Sequence, residues 1–152
     1  MSTKPAWVSR SPVQRCIGGG TLLLTLFVLG CGNPRGTVPV SGTVTLNGEQ
    51  PPGAGTVTFT VIEPAEGFTN RPAMAKFDST GRYEATSFEP GDGLLPGKYA
   101  IAVECYETPP NMEGKPVKSH IARKYLDPST SGFELEIAPQ SRRVTYDLKL
   151  ED

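Results

Sequence analysis

The chain has few of the residues that most often build catalytic and metal sites. Its 152 residues include one histidine, one tryptophan and three cysteines. A zinc site needs three or four Cys, His or carboxylate ligands held together, and a catalytic histidine could only be His120. The G-x-S-x-G elbow of Ser/His/Asp hydrolases is also absent. These absences predict that the protein is not an enzyme and has no metal and no cofactor.

Charge and composition narrow the function further. The formal net charge is −1, so the chain lacks the excess of basic residues that is typical of nucleic-acid-binding proteins. Glycine and proline number 17 and 15, a content that favours short strands and turns over helices. The length suits one ordinary domain with a short appendage.

The first 30 residues have the organisation of an export signal. Residues 1–15 carry three basic residues and no acidic one, and an apolar run over residues 16–30 follows. That run is shorter than the roughly 20 residues of a membrane-spanning helix. It ends in V-L-G-C over residues 28–31, which resembles the lipobox of bacterial lipoproteins.

This resemblance implies cleavage between Gly30 and Cys31 and acylation of the Cys31 thiol, with palmitate as a typical chain. Residues 1–30 are then the lipoprotein signal peptide, and residues 31–37 form a lipidated tether. Two alternatives remain open. The segment could be an ordinary signal peptide, or a retained anchor helix, with an incidental cysteine.

From Val38 onward, apolar and polar residues alternate with a period of two, which is the pattern of a strand with one buried face. The first strand ends at Asn47-Gly48, a dipeptide favoured in two-residue hairpin turns. Seven such strands are predicted within residues 38–150, and they indicate an all-β fold, a seven-stranded antiparallel β-sandwich. Cys105 falls on an inward position, which favours a buried free thiol over a reactive one.

Six segments carry a further resemblance. They are SGTVTLNGEQP (41–51), GTVTF (55–59), DSTGRY (78–83), LPGKY (95–99), IARKY (121–125) and TSGFELEI (130–137). In this order they resemble the carboxypeptidase regulatory-like domain, a transthyretin-like β-sandwich found in many bacterial envelope lipoproteins. The resemblance covers residues 38–150. It implies a scaffold or interaction module, and it transfers no catalytic residue to this chain.

A long polar connection over residues 107–131 holds the candidate binding residues. It is longer than the usual loops of compact domains. These residues are Lys115, Lys118, His120, Arg123 and Lys124. One interpretation is a binding patch for an anionic surface such as polysaccharide or lipid headgroups. The alternative is a solvated loop that Ile121 and Tyr125 hold against the sandwich.

Together these observations predict a non-catalytic, lipid-anchored protein of the bacterial cell envelope, on the outer membrane or the periplasmic face of a membrane. Its expected partners are the membrane, through the lipid anchor, and an envelope protein or polysaccharide. The alternative is a secreted binding protein that delivers a small molecule to an envelope transporter. A carrier needs a concave apolar pocket, whereas an interaction module needs a flat or edge-strand interface.

Overall fold

The structure is a computed structural model that describes residues 35–110, 112–113 and 116–152. The predicted all-β class is confirmed. Within the described residues the only helix is a 3-10 helix at Arg123–Leu126, and none is long and apolar enough to cross a membrane. The strands of this part are β1 (Val40–Leu46), β2 (Gly55–Pro64), β3 (Ala73–Phe77), β4 (Arg82–Glu84), β5 (Gly97–Thr108), β6 (Lys118–Ser119), β7 (Phe133–Ile137), β8 (Val144–Thr145) and β9 (Leu148–Leu150).

These strands form one mixed sheet that curls around a core. The order is β6, β5, β2, β3, β4, β1 and β8. Strand β7 pairs with the first part of β5, and β9 pairs with the second part of β1. The pairs of β2 with β3 and β5 are antiparallel, whereas β8 and β9 run parallel to β1.

The described residues contain nine strands, not the seven predicted, for two reasons. Alternation over residues 144–150 predicts one strand, but the ladder with β1 is interrupted at Tyr146-Asp147, where the Tyr83 hydroxyl donates a hydrogen bond to the Tyr146 carbonyl. In addition, β6 lies inside the predicted loop 107–131 and pairs with the end of β5. The antiparallel prediction is wrong for β8 and β9, because side chains alternate in the same way beside a parallel neighbour.

The core lies on the inner face of the curled sheet. Phe59 on β2 is fully buried, with its ring 6.5 Å from the Tyr99 ring in an edge-on geometry and 6.2 Å from the Tyr83 ring. Val57 and Ile101 are also fully buried. Their burial confirms the inward positions that the alternation predicts. The centre of the core therefore lies over β2 and β5.

Contacts between the two ends of the strand order show the curl. The Tyr125 hydroxyl donates a hydrogen bond to the Glu151 carbonyl at 3.1 Å and accepts one from the Glu151 N–H at 2.9 Å. Tyr125 follows β6, and Glu151 follows β9, so the residues join segments that are far apart in the sheet. The curl therefore covers the core from both sides.

Two buried tyrosine hydroxyls predict a loss of stability at high pH. Burial raises the pKa of Tyr99 to about 12, although the hydrogen bond from its hydroxyl to the Leu95 carbonyl at 2.8 Å opposes the shift. Burial also raises the pKa of Tyr83. Tyrosine in an unfolded chain titrates at about 10. The stabilisation is therefore complete below that pH, and it is lost as the pH rises through the folded-state value.

Alkaline titration followed by tyrosinate absorbance should accordingly show a late phase that coincides with unfolding in far-ultraviolet circular dichroism. Tyr99→Phe should remove one phenol from that phase while leaving the earlier phase unchanged. If every tyrosine of the native protein titrated together at the ordinary pH, the burial of these two hydroxyls would be wrong.

Candidate functional site

A groove of about 840 Å³ lies over the outer face of the sheet, across β1, β3 and β4. It is open to solvent, and both charged and hydroxyl side chains line it. Its polar lining residues are Ser41, Thr43, Lys76, Arg82, Glu84, Thr86, Thr145 and Asp147. Six of these residues lie on strands, whereas Thr86 and Asp147 lie just outside them. The loop between β4 and β5 adds Pro90 and Gly91 to the lining.

Gly42 and Gly91 are among the residues that line the groove. A Cβ at Gly42 would lie 1.9 Å from the Tyr146 carbonyl oxygen, so only glycine lets β1 and the Tyr146 backbone approach this closely. A Cβ at Gly91 would lie 3.1 Å from a carboxylate oxygen of Glu84, which places that carboxylate against the loop between β4 and β5.

The register of the strands arranges the polar side chains in rows across the groove. Thr43 on β1 is paired with Arg82 on β4, and the Thr43 N–H donates a hydrogen bond to Oδ1 of Asp147 at 2.9 Å. Ser41 on β1 is paired with Glu84 on β4. A cation and an anion therefore lie side by side along β4, each with a hydroxyl opposite on β1.

Three charged side chains of the groove have no ion-pair partner. Lys76, Arg82 and Glu84 are exposed, and none of them forms an ion pair with another described residue. Ammonium and guanidinium groups donate hydrogen bonds, carboxylates accept them, and hydroxyls do both. The groove can therefore bind a polar partner that has both hydrogen-bond donors and hydrogen-bond acceptors.

Sequence reasoning did not find this groove. Ser41 and Thr43 share the outward face of one predicted strand, and Arg82 and Glu84 share the outward face of another, so part of the signal was present. The missing part was that β4 is the neighbour of β1 in the sheet. Strand order is set by contacts between residues far apart in the chain, which alternation does not report.

The structure describes four of the five predicted binding residues, namely Lys118, His120, Arg123 and Lys124. Lys118 lies on β6, and its Nζ is 3.0 Å from a carboxylate oxygen of Glu107 on β5. The hydrogen bond from Lys118 lowers the pKa of the Glu107 carboxyl. Lys124 lies in the 3-10 helix with its Nζ 4.7 Å from the centre of the Tyr125 ring, and Arg123 precedes it. His120 is half-buried, and its N–H donates to a backbone carbonyl of β5.

Two apolar residues hold this segment against the sheet. Ile121 and Tyr125 are each 5% exposed, and the Tyr125 ring stacks on Phe133 with 5.5 Å between ring centres. The predicted packing of Ile121 and Tyr125 is therefore confirmed. Binding of an anionic surface by residues 107–131 stays a prediction.

Cys105 is a buried thiol, as its position in β5 predicts. It is fully buried, with its Sγ 3.7 Å from the Gly53 carbonyl oxygen. Burial raises the pKa of the Cys105 thiol, which disfavours the nucleophilic thiolate. The described residues hold no group of three or more His, Cys, Asp or Glu side chains placed to bind a metal ion.

The predicted tether overlaps the folded domain. Residues 35–37 are the part of it that is described. Arg35 forms an ion pair with Glu89 at 2.8 Å, and Thr37 is buried. Gly30, Cys31 and Lys115, which belong to the predicted cleavage, lipidation and binding sites, lie outside the described residues.

Comparison with known proteins gives no match, since no family model, no curated protein and no solved structure matches this chain. A function for the protein therefore rests on its residues and their geometry. Within the described part of the chain, the groove over β1, β3 and β4 brings exposed charged side chains and hydroxyl groups together.

Proposed function

We propose that this protein is a non-catalytic, lipid-anchored interaction module of the bacterial cell envelope that contacts an envelope partner through the groove over β1, β3 and β4. The observation that carries the proposal is that Lys76, Arg82 and Glu84 are exposed in one open groove and form no ion pair with another described residue. The partner is an envelope protein or polysaccharide that presents hydrogen-bonding groups of both kinds.

The anchor is the second part of the proposal. Residues 1–30 act as the signal peptide, and the acylated Cys31 holds the protein on the outer membrane or on the periplasmic face of a membrane. The basic start, the short apolar run and the V-L-G-C sequence support this assignment.

The fold within the all-β class is a transthyretin-like sandwich in this proposal. The segments that carry the resemblance coincide with elements of the sheet, which supports the assignment. SGTVTLNGEQP contains most of β1 and its hairpin turn, where Asn47 and Gly48 have φ values of 53° and 82°. DSTGRY holds the turn between β3 and β4, and LPGKY leads into β5.

A secreted carrier for a small molecule is the second candidate, because the groove volume lies within the range of about 300–1,000 Å³ for small-molecule sites. Such sites are mostly apolar and bury most of the ligand. This groove is open, and charged and hydroxyl groups line it. An open groove cannot bury most of a small ligand, so this shape favours the interaction module.

Neutralising two groove charges tests the proposal. Arg82→Gln combined with Glu84→Gln removes one cation and one anion, so the net charge is unchanged. Retention of the delipidated domain on isolated cell envelopes should weaken about tenfold, the effect of losing one hydrogen bond to a charged group. The matched control is Glu136→Gln with Arg142→Gln, an equally neutral pair of exposed residues outside the groove. Equal retention of the groove variant and the control variant would contradict the proposal that the partner binds in the groove.

The basic segment is compared in the same assay. Lys115, Lys118, Arg123 and Lys124 are changed to Gln, leaving Ile121 and Tyr125 in place. Contacts made by exposed charges weaken with added salt, because ions screen them within about 8 Å at physiological strength. Salt-dependent retention that this variant abolishes, with the groove variant unaffected, would place the interface at the basic segment.

A further inference from the structure

The first described residues are docked on the domain. The guanidinium carbon of Arg35 lies 4.9 Å from the centre of the Phe88 ring, and its Nη1 is 2.8 Å from a carboxylate oxygen of Glu89. The Arg71 guanidinium lies 4.0 Å from the same ring centre, and its Nε donates to the Ser87 carbonyl at 2.8 Å. Cations over an aromatic face are attracted by its quadrupole. We call Arg35, Arg71, Phe88 and Glu89 the N-terminal clamp.

Backbone contacts continue the attachment from Arg35 into the sheet. Val38 and Leu94 exchange two hydrogen bonds, with N–H to carbonyl distances of 2.7 and 2.9 Å. A Cβ at Gly36 would lie 3.1 Å from the Phe68 ring, so this ring packs closely on the backbone of Gly36. The chain is therefore held to the domain from Arg35 onward.

The clamp lies at one end of the strands, which we call the proximal end. Strand β5 begins at Gly97, three residues after Leu94, and runs away from this end for 12 residues, or about 36 Å at roughly 3.3 Å per residue. It finishes at Thr108, which is paired with Lys118. Strand β1 also leaves the proximal end and is paired at its far end with Leu150. The opposite, distal end therefore carries β6.

Chain length limits how far the proximal end can be from a lipid on Cys31. Cys31 precedes Arg35 by four residues, which span at most about 14 Å when fully extended. We infer that the proximal end faces the phospholipid bilayer that holds the anchor, with the distal end directed away from it. This inference rests on the proposed attachment through Cys31.

The orientation decides which partner the basic residues can reach. Lys118 lies at the distal end, since it is paired with Thr108 at the end of a strand of about 36 Å. Arg123 and Lys124 precede Tyr125, whose ring stacks on Phe133 beside Ile101 of β5, so they lie closer to the middle of the strand. Charges separated by more than about 8 Å of electrolyte are largely screened at physiological salt. The headgroups of the anchoring bilayer are therefore not the partner of Lys118, and an anionic partner of this residue must approach from the opposite side.

Fluorescence quenching on vesicles tests the orientation. The only tryptophan lies at position 7, so the chain from Cys31 to Asp152, which contains the whole described core, has no indole of its own. It is coupled through Cys31 to a maleimide phospholipid in phosphatidylcholine vesicles that carry a spin label on the headgroup. Thr69→Trp adds an indole beside Phe68 at the proximal end, and Ser79→Trp adds one in the exposed turn between β3 and β4 at the distal end. Quenching is expected at position 69 and not at position 79.

Two variants distinguish the effect of the N-terminal clamp on the orientation from the effect of the short attachment to Cys31. Inserting roughly 20 Gly/Ser residues after Gly32, with a random-coil reach of about 25 Å, should abolish the difference between the two positions. Arg35→Gln with Phe88→Ala should reduce it, while Arg123→Gln should leave it unchanged. Equal quenching at both positions in the unmodified tether, or stronger quenching at position 79, would overturn the inference. Because the coupling is chemical, the result does not depend on whether cells acylate Cys31.

Discussion

Cys31→Ala is expected to move the protein from the detergent phase to the aqueous phase when cells that express the full chain are extracted and phase-separated. Each methylene of a bound acyl chain contributes about 0.8 kcal/mol to membrane binding, and two chains make the attachment stable. Removing the thiol that carries the acyl groups should therefore remove nearly all membrane association. Metabolic labelling with palmitate should mark the wild-type chain and not the variant.

The other two cysteines supply matched controls for this experiment. Cys16→Ala changes a residue that the proposed cleavage would remove with the signal peptide, and Cys105→Ala changes a buried thiol, so neither should alter the partition. If Cys31→Ala still entered the detergent phase, the apolar run over residues 16–30 would be a retained anchor. The lipoprotein assignment would then be wrong, while the groove and the sheet would be unaffected.

Ile101→Ala is expected to lower the free energy of unfolding by about 2–5 kcal/mol, the usual result of truncating a large aliphatic side chain in a core. Ile101 is fully buried at the centre of β5, where it is paired with Phe59 on β2 and Phe133 on β7. Truncation leaves a cavity between these strands, and the surrounding sheet can relax only in part. Urea denaturation followed by circular dichroism measures the change.

The same substitution at Ile62 is the matched control. Ile62 is 55% exposed on β2, so truncating it should alter stability by no more than about 0.5 kcal/mol. A chain that starts at Arg35 retains the whole described core and should unfold cooperatively with a β-type spectrum. A helical spectrum, or equal effects of the two isoleucine substitutions, would contradict the described sheet.

Alternation predicted the long strands because burial of one face imposes a period of two on the sequence. Val57, Phe59, Ile101 and Val103 are all fully buried, as their positions require. Strand β6 and the 3-10 helix were not predicted. Strand β6 has two residues, and its place beside β5 is supported by the Lys118–Glu107 ion pair and by the Ser119 hydroxyl, which donates to the carbonyls of Cys105 and Ile121. Two residues are too few to show a period.

The sequence by itself determined the all-β class, the hairpin turn at Asn47-Gly48 and the burial of Cys105. Each of these depends on local properties of the chain, namely side-chain alternation and the backbone conformations that a residue tolerates. Only the tertiary structure decided the parallel pairing of β8 and β9, the groove and the docking of Arg35. Arg35 and Glu89 are 54 positions apart in the chain, and Thr43 and Asp147 are 104 apart. Such pairs meet because β1 lies between β4 and β8 in the sheet, and no local pattern in the sequence encodes this strand order.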